Sequence, residues 1–507
     1  MNYILTAEPK TLDPQIASDS SALVAIQALF QGLARLDEKG QAYPGAAEKW
    51  ESNADSTVFT FTLRKNGKWS DKDKTPVTAG DFVFAFQRAV SPKTGSPSST
   101  QLFCIKNAKE INEGKLPPDK LGVTAKDDNT LVVQLNYAYP DFPALTASAV
   151  FMPCNPKFFQ STSGRYGLES QYLIGNGPFV IDGKYGWEHG KFINLVRSAA
   201  YAGTKKPLPA SLKLTIISSA SDFPDPVTAL TTKAADAMYI PENKVAAATA
   251  AGCTVASFEN TTWGLSFQTQ SSIMKNINIR KAFIRALDRD KVLNQLPKAV
   301  TRAENIIPPS TTWMGKSFRT AANSGSFYLK KDGNAAALLS TGLNELALKA
   351  LPPITIICPD NASVKLMLNE MIAEWNTAFH YYFNMEPLSD SELSARIQSG
   401  NYQIAISAIK PFSDGPLSVL SHFKSGAQDN PSFLQDASFD AMLTEASKKN
   451  GAEAAAAFAA AEKYLNEQAI FYPLYYQKDY FASAKGVTGI VFQSYGGGVD
   501  FIQAGKE

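Results

Sequence analysis

Alternating and helical spacings of apolar residues succeed one another along the chain. V-F-T-F-T-L, residues 58–63, alternates apolar and polar at period two and predicts a half-buried strand. Residues 130–135 and 192–196 repeat that pattern, and residues 3–6 predict an opening strand before the turn Glu8-Pro9-Lys10. Leu23, Ile26, Leu29, Phe30 and Leu33 lie three to four apart behind Ser21, predicting a helix over 22–36. Thr78 caps a helix running to about Val90, with Asp81 in its first turn, where a carboxylate meets the positive end of the helix dipole. Ile279, Ala282, Phe283, Ala286 and Leu287 form one apolar stripe and predict a single helix over 279–293. Beyond Pro308-Pro309 come a helix at 334–339, a strand at 354–358, a helix at 364–380 and a buried strand at 404–409, the order of a βαβ unit. An alanine-rich helix over 452–468 and a strand over 472–476 follow. The chain shows no internal repeat and no low-complexity linker.

A chain of 507 residues exceeds one core, so two or three domains are expected. Lys and Arg number 49 against 47 Asp and Glu, so no broad basic field draws nucleic acid. No apolar run is long enough to span a membrane. Residues 1–4 enter a strand without the n-region and h-region of a leader, which leaves open a cytoplasmic protein or a trimmed, mature one. Cys104, Cys154, Cys253 and Cys358 are widely spaced without C-x-x-C, so three pairings or none are open and a zinc site is not expected. His189, His380 and His422 stand outside H-E-x-x-H and G-x-S-x-G, which argues against a metalloprotease or Ser/His hydrolase. Asp71-Lys72-Asp73 lacks the glycine and glutamate of a calcium loop, and Gly175-Asn176-Gly177 lacks the lysine of a phosphate loop. No metal, no cofactor and no catalysis are expected.

Several stretches together resemble the extracytoplasmic solute-binding proteins of ABC importers, the oligopeptide- and dipeptide-binding family 5. They are E-P-K-T-L-D-P-Q from Glu8, P-G-A-A-E-K-W from Pro44 with F-T-F-T-L-R-K-N-G-K-W-S-D from Phe59, and P-V-T-A-G-D-F-V-F-A-F-Q-R from Pro76. G-N-G-P-F from Gly175, N-I-R-K-A-F-I-R-A-L-D-R-D from Asn278 and Y-P-L-Y-Y from Tyr472 complete the series. The resemblance implies an α/β fold like the type II periplasmic binding proteins of cluster C: two main lobes joined by a hinge, plus an inserted lobe. Domain I would comprise 1–31, 166–258 and 476–507, domain II 32–165, and domain III 259–475. A ligand would be held between domains I and III and trapped by closure. The implied partners are a peptide or small-molecule ligand and the permease and ATPase subunits. A monomer is expected, extracytoplasmic, either periplasmic or a membrane-anchored lipoprotein.

The same resemblance suggests the ligand contacts. Phe258 and Trp263 lie on the strand entering domain III, and Tyr475 and Tyr476 on the strand leaving it; aromatics give side-chain-tolerant contact. Peptide-binding relatives carry a G-W-C-A-D-like stretch whose tryptophan lines a pocket and whose aspartate binds the peptide α-ammonium. Aligned on Pro416, those two positions fall on Ile409 and Phe412, and the cysteine position falls on Lys410. A second tryptophan position falls near Asp390, and Gln398 is a further candidate. A buried ammonium without a carboxylate costs several kcal/mol. Either Asp414 or Asp390 takes over the anchor, or the ligand brings an anion to Lys410. An oligopeptide is the leading ligand. An anionic or capped molecule, an oligosaccharide, an opine or a metal chelate is the alternative, along with a signalling-peptide sensor.

Overall fold

The computed structural model describes residues 1–217, 219, 222–296, 300–327, 329–411, 414–427, 429–449, 451–495 and 498–507, with Asp390 described by its backbone alone. They divide into two compact units. The first holds Met1–Phe258, Asp414 and Asp479–Glu507; the second holds Glu259–Pro411 and Gly415–Lys478. The chain passes from one unit to the other within the strands Thr254–Phe267 and Phe471–Ser483.

Among the described residues, the first unit contains two larger sheets and three two-stranded ribbons. In one, Asn2–Leu5 pairs in parallel with Ser211–Ile216 and, at Tyr3, with Ala237–Tyr239. Phe192–Arg197 and Phe179–Ile181 extend it antiparallel on one side, and residues 481–483 pair with Ala237–Tyr239 on the other. The second sheet is four-stranded and antiparallel, with Val58–Leu63 between Ala47–Ser52 and Thr130–Gln134, and Val123–Asp127 at the far edge beside Thr130–Gln134. The helix Ala79–Val90 buries Phe82 and Phe86 beside Phe142 and Phe151 in the same core. Its start is built as the spacing predicts. The buried carboxylate of Asp81 accepts from the Thr78 backbone N–H at 2.8 Å and from Trp69 Nε1 at 3.0 Å.

The second unit contains the βαβ order, with a strand and a helix before Ile404–Ile409 that the spacing did not predict. Thr355–Pro359 leads through the helix Ala362–Phe379 to Asn384–Leu388, and through Asp390–Gln398 to Ile404–Ile409. These three strands are parallel, with Thr355–Pro359 in the middle. Ile404–Ile409 then pairs antiparallel with residues 262–267.

Three readings from spacing need correction. The helix expected over 22–36 stops at Leu29, and Ala34–Leu36 is a strand. Asn176 clasps the helix end, its Oδ1 accepting from the Gln31 N–H and its Nδ2 donating to the Gln31 carbonyl. The flanking glycines allow this approach: a Cβ on Gly175 would lie 2.0 Å from the Leu29 oxygen. The helix expected over 279–293 is two helices, Ile277–Arg285 and Arg289–Leu293, because Asp288 leaves helical geometry to cap the second. The strand expected over 472–476 runs from Phe471 to Ser483. All four cysteines are buried thiols without a disulfide.

Candidate functional site

On the second unit, the strand 259–267 places Trp263 directly opposite Ala408, and Thr262 opposite Ile409. Side chains alternate across a strand. Ile409, 2% exposed, accordingly packs into a core with Val419, Phe423 and Phe471, while Ala408 is exposed. Trp263 is half-buried and stacks on Tyr475, with centroids 6.1 Å apart and planes within 11°. Its indole N–H donates to Gln477 Oε1 at 2.6 Å. Tyr476 faces the other way and is locked in place: its Oη accepts from the Asn305 N–H and donates to the Asn305 carbonyl. Beside the stack, Glu259 accepts from Thr301 and pairs with Lys478 at 3.0 Å.

Lys410 follows the strand Ile404–Ile409 and is exposed. Its carbonyl meets Nε2 of His422 at 3.1 Å. Gln398 is exposed at the end of the helix Asp390–Gln398. Asp390 opens that helix, and its side chain lies outside the described atoms. Phe412 lies outside the described residues.

In the first unit, Phe258 lies 6.3 Å from Phe481, which stacks on Phe492 at 5.0 Å and meets Tyr239 edge-on. Asp414 belongs to this unit, and a Cβ on Gly40 would lie 3.8 Å from its Oδ2 and 3.7 Å from Tyr495 Oη. The Asp141 carboxyl is pushed up to about 6, first by burial and then by the Asp414 carboxylate.

Of the residues proposed from sequence, the structure brings Trp263 and Tyr475 into contact and sets Ala408, which precedes Ile409, across from Trp263. It keeps Tyr476 and Ile409 on opposite faces from their neighbours. Gln477, Asp141 and His422 were missed. Gln477 had a signal, since it shares a strand face with Tyr475 at period two. Asp141 had none, because Asp414 is distant in sequence; His422 had none, because no spacing rule links a histidine to the Lys410 carbonyl before it and Asp429 after it. Among the described residues, no cluster of three or more His, Cys, Asp or Glu could hold a metal ion, and no helix is long and apolar enough to cross a membrane.

Comparison with known proteins is consistent with this architecture. The dipeptide-binding protein DppE of Bacillus subtilis (strain 168) is 26% identical over 498 residues, covering 96% of this chain and 88% of its own. The periplasmic murein peptide-binding protein MppA of Escherichia coli (strain K12) is 46% identical over a shorter stretch of 176 residues, 34% of this chain and 32% of its own. The substrate-binding domain of the oligopeptide ABC transporter from Bacillus anthracis str. Ames superposes with a TM-score of 0.78 at 24% identity, covering 100% of this chain and 98% of that one. The model of the bacterial extracellular solute-binding proteins, family 5 Middle, matches residues 41–431, and the chain belongs to that family.

Proposed function

We propose that this protein is the substrate-binding component of an ABC importer and that its ligand is an oligopeptide. The observation that carries this reading is the match of nearly the whole chain to proteins named for dipeptide or oligopeptide binding. The protein works outside the cytoplasmic membrane, periplasmic or lipid-anchored, as a monomer that delivers ligand to a permease and its ATPase. Its lobes are those implied by the resemblance: an inserted lobe at 32–165 within a discontinuous domain I, and domain III at 259–475.

Trp263 supplies apolar stacking surface, backed by the buried Tyr475 and with Gln477 orienting the indole. The exposed Lys410 at the strand end favours a ligand anion, as a point charge with three donors. A peptide in shifted register, its C-terminal carboxylate toward Lys410, satisfies both features. The 46% identity to MppA over 176 residues favours a second reading, in which the peptide is a murein peptide.

Calorimetric titration with a mixed tri- to pentapeptide library and a murein tripeptide tests both. Each would be tried with free and acetylated amines, on wild type and Lys410→Ala. The expected result is binding that survives acetylation and weakens about tenfold in Lys410→Ala, since 1.4 kcal/mol is modest for a charge-assisted hydrogen bond. Tight binding that acetylation abolishes and Lys410→Ala leaves intact would show that a carboxylate, Asp414 or Asp390, anchors the amine instead. Binding of neither ligand set would sink the peptide reading.

A further inference from the structure

His422 touches the end of the strand that carries Lys410 through one ring nitrogen and a carboxylate through the other. Nε2 lies 3.1 Å from the Lys410 carbonyl oxygen, and Nδ1 lies 2.7 Å from Asp429 Oδ2. A carbonyl and an ionised carboxylate only accept. A neutral imidazole has one N–H and one lone pair, so either tautomer would set a lone pair against an oxygen. The imidazolium donates to both.

Both sides of this bridge are held in place. The turn Ser421–Phe423 that carries His422 buries Phe423 and follows the helix Leu417–Leu420, with Val419 and Leu420 fully buried. Asp429 precedes the buried Asn430, whose Nδ2 donates to the Leu434 carbonyl and whose Oδ1 accepts from the Ser432 and Leu434 N–H groups. The His422 side chain is 12% exposed. Burial opposes charge on the ring, but the Asp429 carboxylate and the Lys410 carbonyl outweigh it and raise the pKa above the ordinary value.

We propose that His422 is a positioning residue for ligand binding: its imidazolium ties the Lys410 end of the strand Ile404–Ile409 to Asp429, and affinity falls when the ring loses its proton. This rests on the reading of the strand end as ligand surface. Among the described residues, the charged group against the ring is Asp429, and the group meeting it from the strand end is the backbone of Lys410. Pro411 follows Lys410 and has no N–H to fix the next peptide unit, so the bridge sets the direction in which the lysine leaves the strand. The bridge is complete below the ordinary histidine value of about 6.5 and is lost as pH rises through the raised one.

Two measurements on the full chain test this. NMR of ring-labelled histidine, with His422→Gln assigning the signal among the three histidines, gives the pKa. Calorimetric titration of the N-acetylated peptide library between about pH 5.5 and 8.5 on wild type, His422→Gln and Asp429→Asn gives the affinity profile. The expected ring pKa lies above about 6.5 and falls in Asp429→Asn. Wild-type affinity is expected to drop about fivefold at the high-pH end, the worth of one ordinary hydrogen bond, with His422→Gln flat at the weaker level. A ring that titrates at or below the ordinary value, or that Asp429→Asn leaves unmoved, overturns the bridge. A His422→Gln protein that keeps the wild-type slope overturns the positioning role. The ring titration needs no ligand, so failure of the library to bind counts against the peptide reading alone.

Discussion

At the scale of single residues, neighbours in sequence are often far apart in role. Tyr475 stacks on Trp263, while Tyr476 is hydrogen-bonded into the core through Asn305. Period-two alternation separates them, although the resemblance placed both at the ligand. The pairing of Asp141 with Asp414 was not legible, because the two lie 273 positions apart in the chain. This pair has a measurable consequence. The Asp141 carboxyl is pushed up to about 6, by burial first and by Asp414 second, whereas an unfolded aspartate titrates near 3.9. The folded protein therefore binds this proton more tightly. The contribution to stability is fully present below about pH 4 and is lost as the pH rises to about 6, leaving a charged, poorly solvated carboxylate above. Asp141 makes no capping hydrogen bond to the helix it precedes, so asparagine removes the charge without removing a cap. Asp141→Asn is expected to stabilise the protein by about 1–3 kcal/mol at pH 7.5 and by little at pH 4, measured by denaturant unfolding at both. Equal effects at the two values would show that the carboxyl is not perturbed.

At the scale of elements, spacing located the helices and strands better than it located their ends. The cap at Thr78 was legible because capping is local: Asp81, three residues on, accepts from the Thr78 N–H. The end at Leu29 was not, because the clasp comes from Asn176 and Leu33 continues the helical spacing by coincidence. The break at Asp288 was partly legible. An aspartate inside an apolar stripe is a poor helix former and a good cap, and the stripe was read past it. Arg280 shows what the N-I-R-K stretch does. Its guanidinium, 5% exposed, donates to the carbonyls of Met274, Lys275, Gln468 and Ala469, closing the chain end that follows the helix Gly451–Glu467. Burial lowers its pKa to about 10, so it stays charged at neutral pH. Removing the donors leaves those carbonyls buried. Arg280→Met is expected to cost about 3 kcal/mol in chemical denaturation, where an exposed arginine would cost little. A loss below about 0.5 kcal/mol would mean that water replaces the guanidinium.

At the scale of the whole molecule, the stretches that made the family legible mark scaffold. Trp69, Asp81, Asn176 and Arg280 all make interior contacts that build elements. Tyr475 and Tyr476 belong to a matching stretch, but Ile409, Lys410 and Phe412 lie where the resemblance breaks, so the fold was easier to read than the ligand. That division makes a prediction about ligand ends. A ligand that binds the folded chain alone raises its stability by mass action, by about 2.7 kcal/mol at a hundred times the dissociation constant. If Lys410 receives the peptide carboxylate, C-terminal amidation removes the charge that the lysine recognises, and N-terminal acetylation removes nothing it needs. Thermal unfolding with the peptide library in four forms (free, acetylated, amidated, and both) is expected to show upward shifts for the free and acetylated sets and much smaller shifts for the two amidated sets. Raised salt should shrink the difference, since Lys410 is exposed and its attraction is screened. The reverse pattern, shifts lost on acetylation and kept on amidation, would place the anchoring charge on a carboxylate and remove Lys410 from the ligand's recognition.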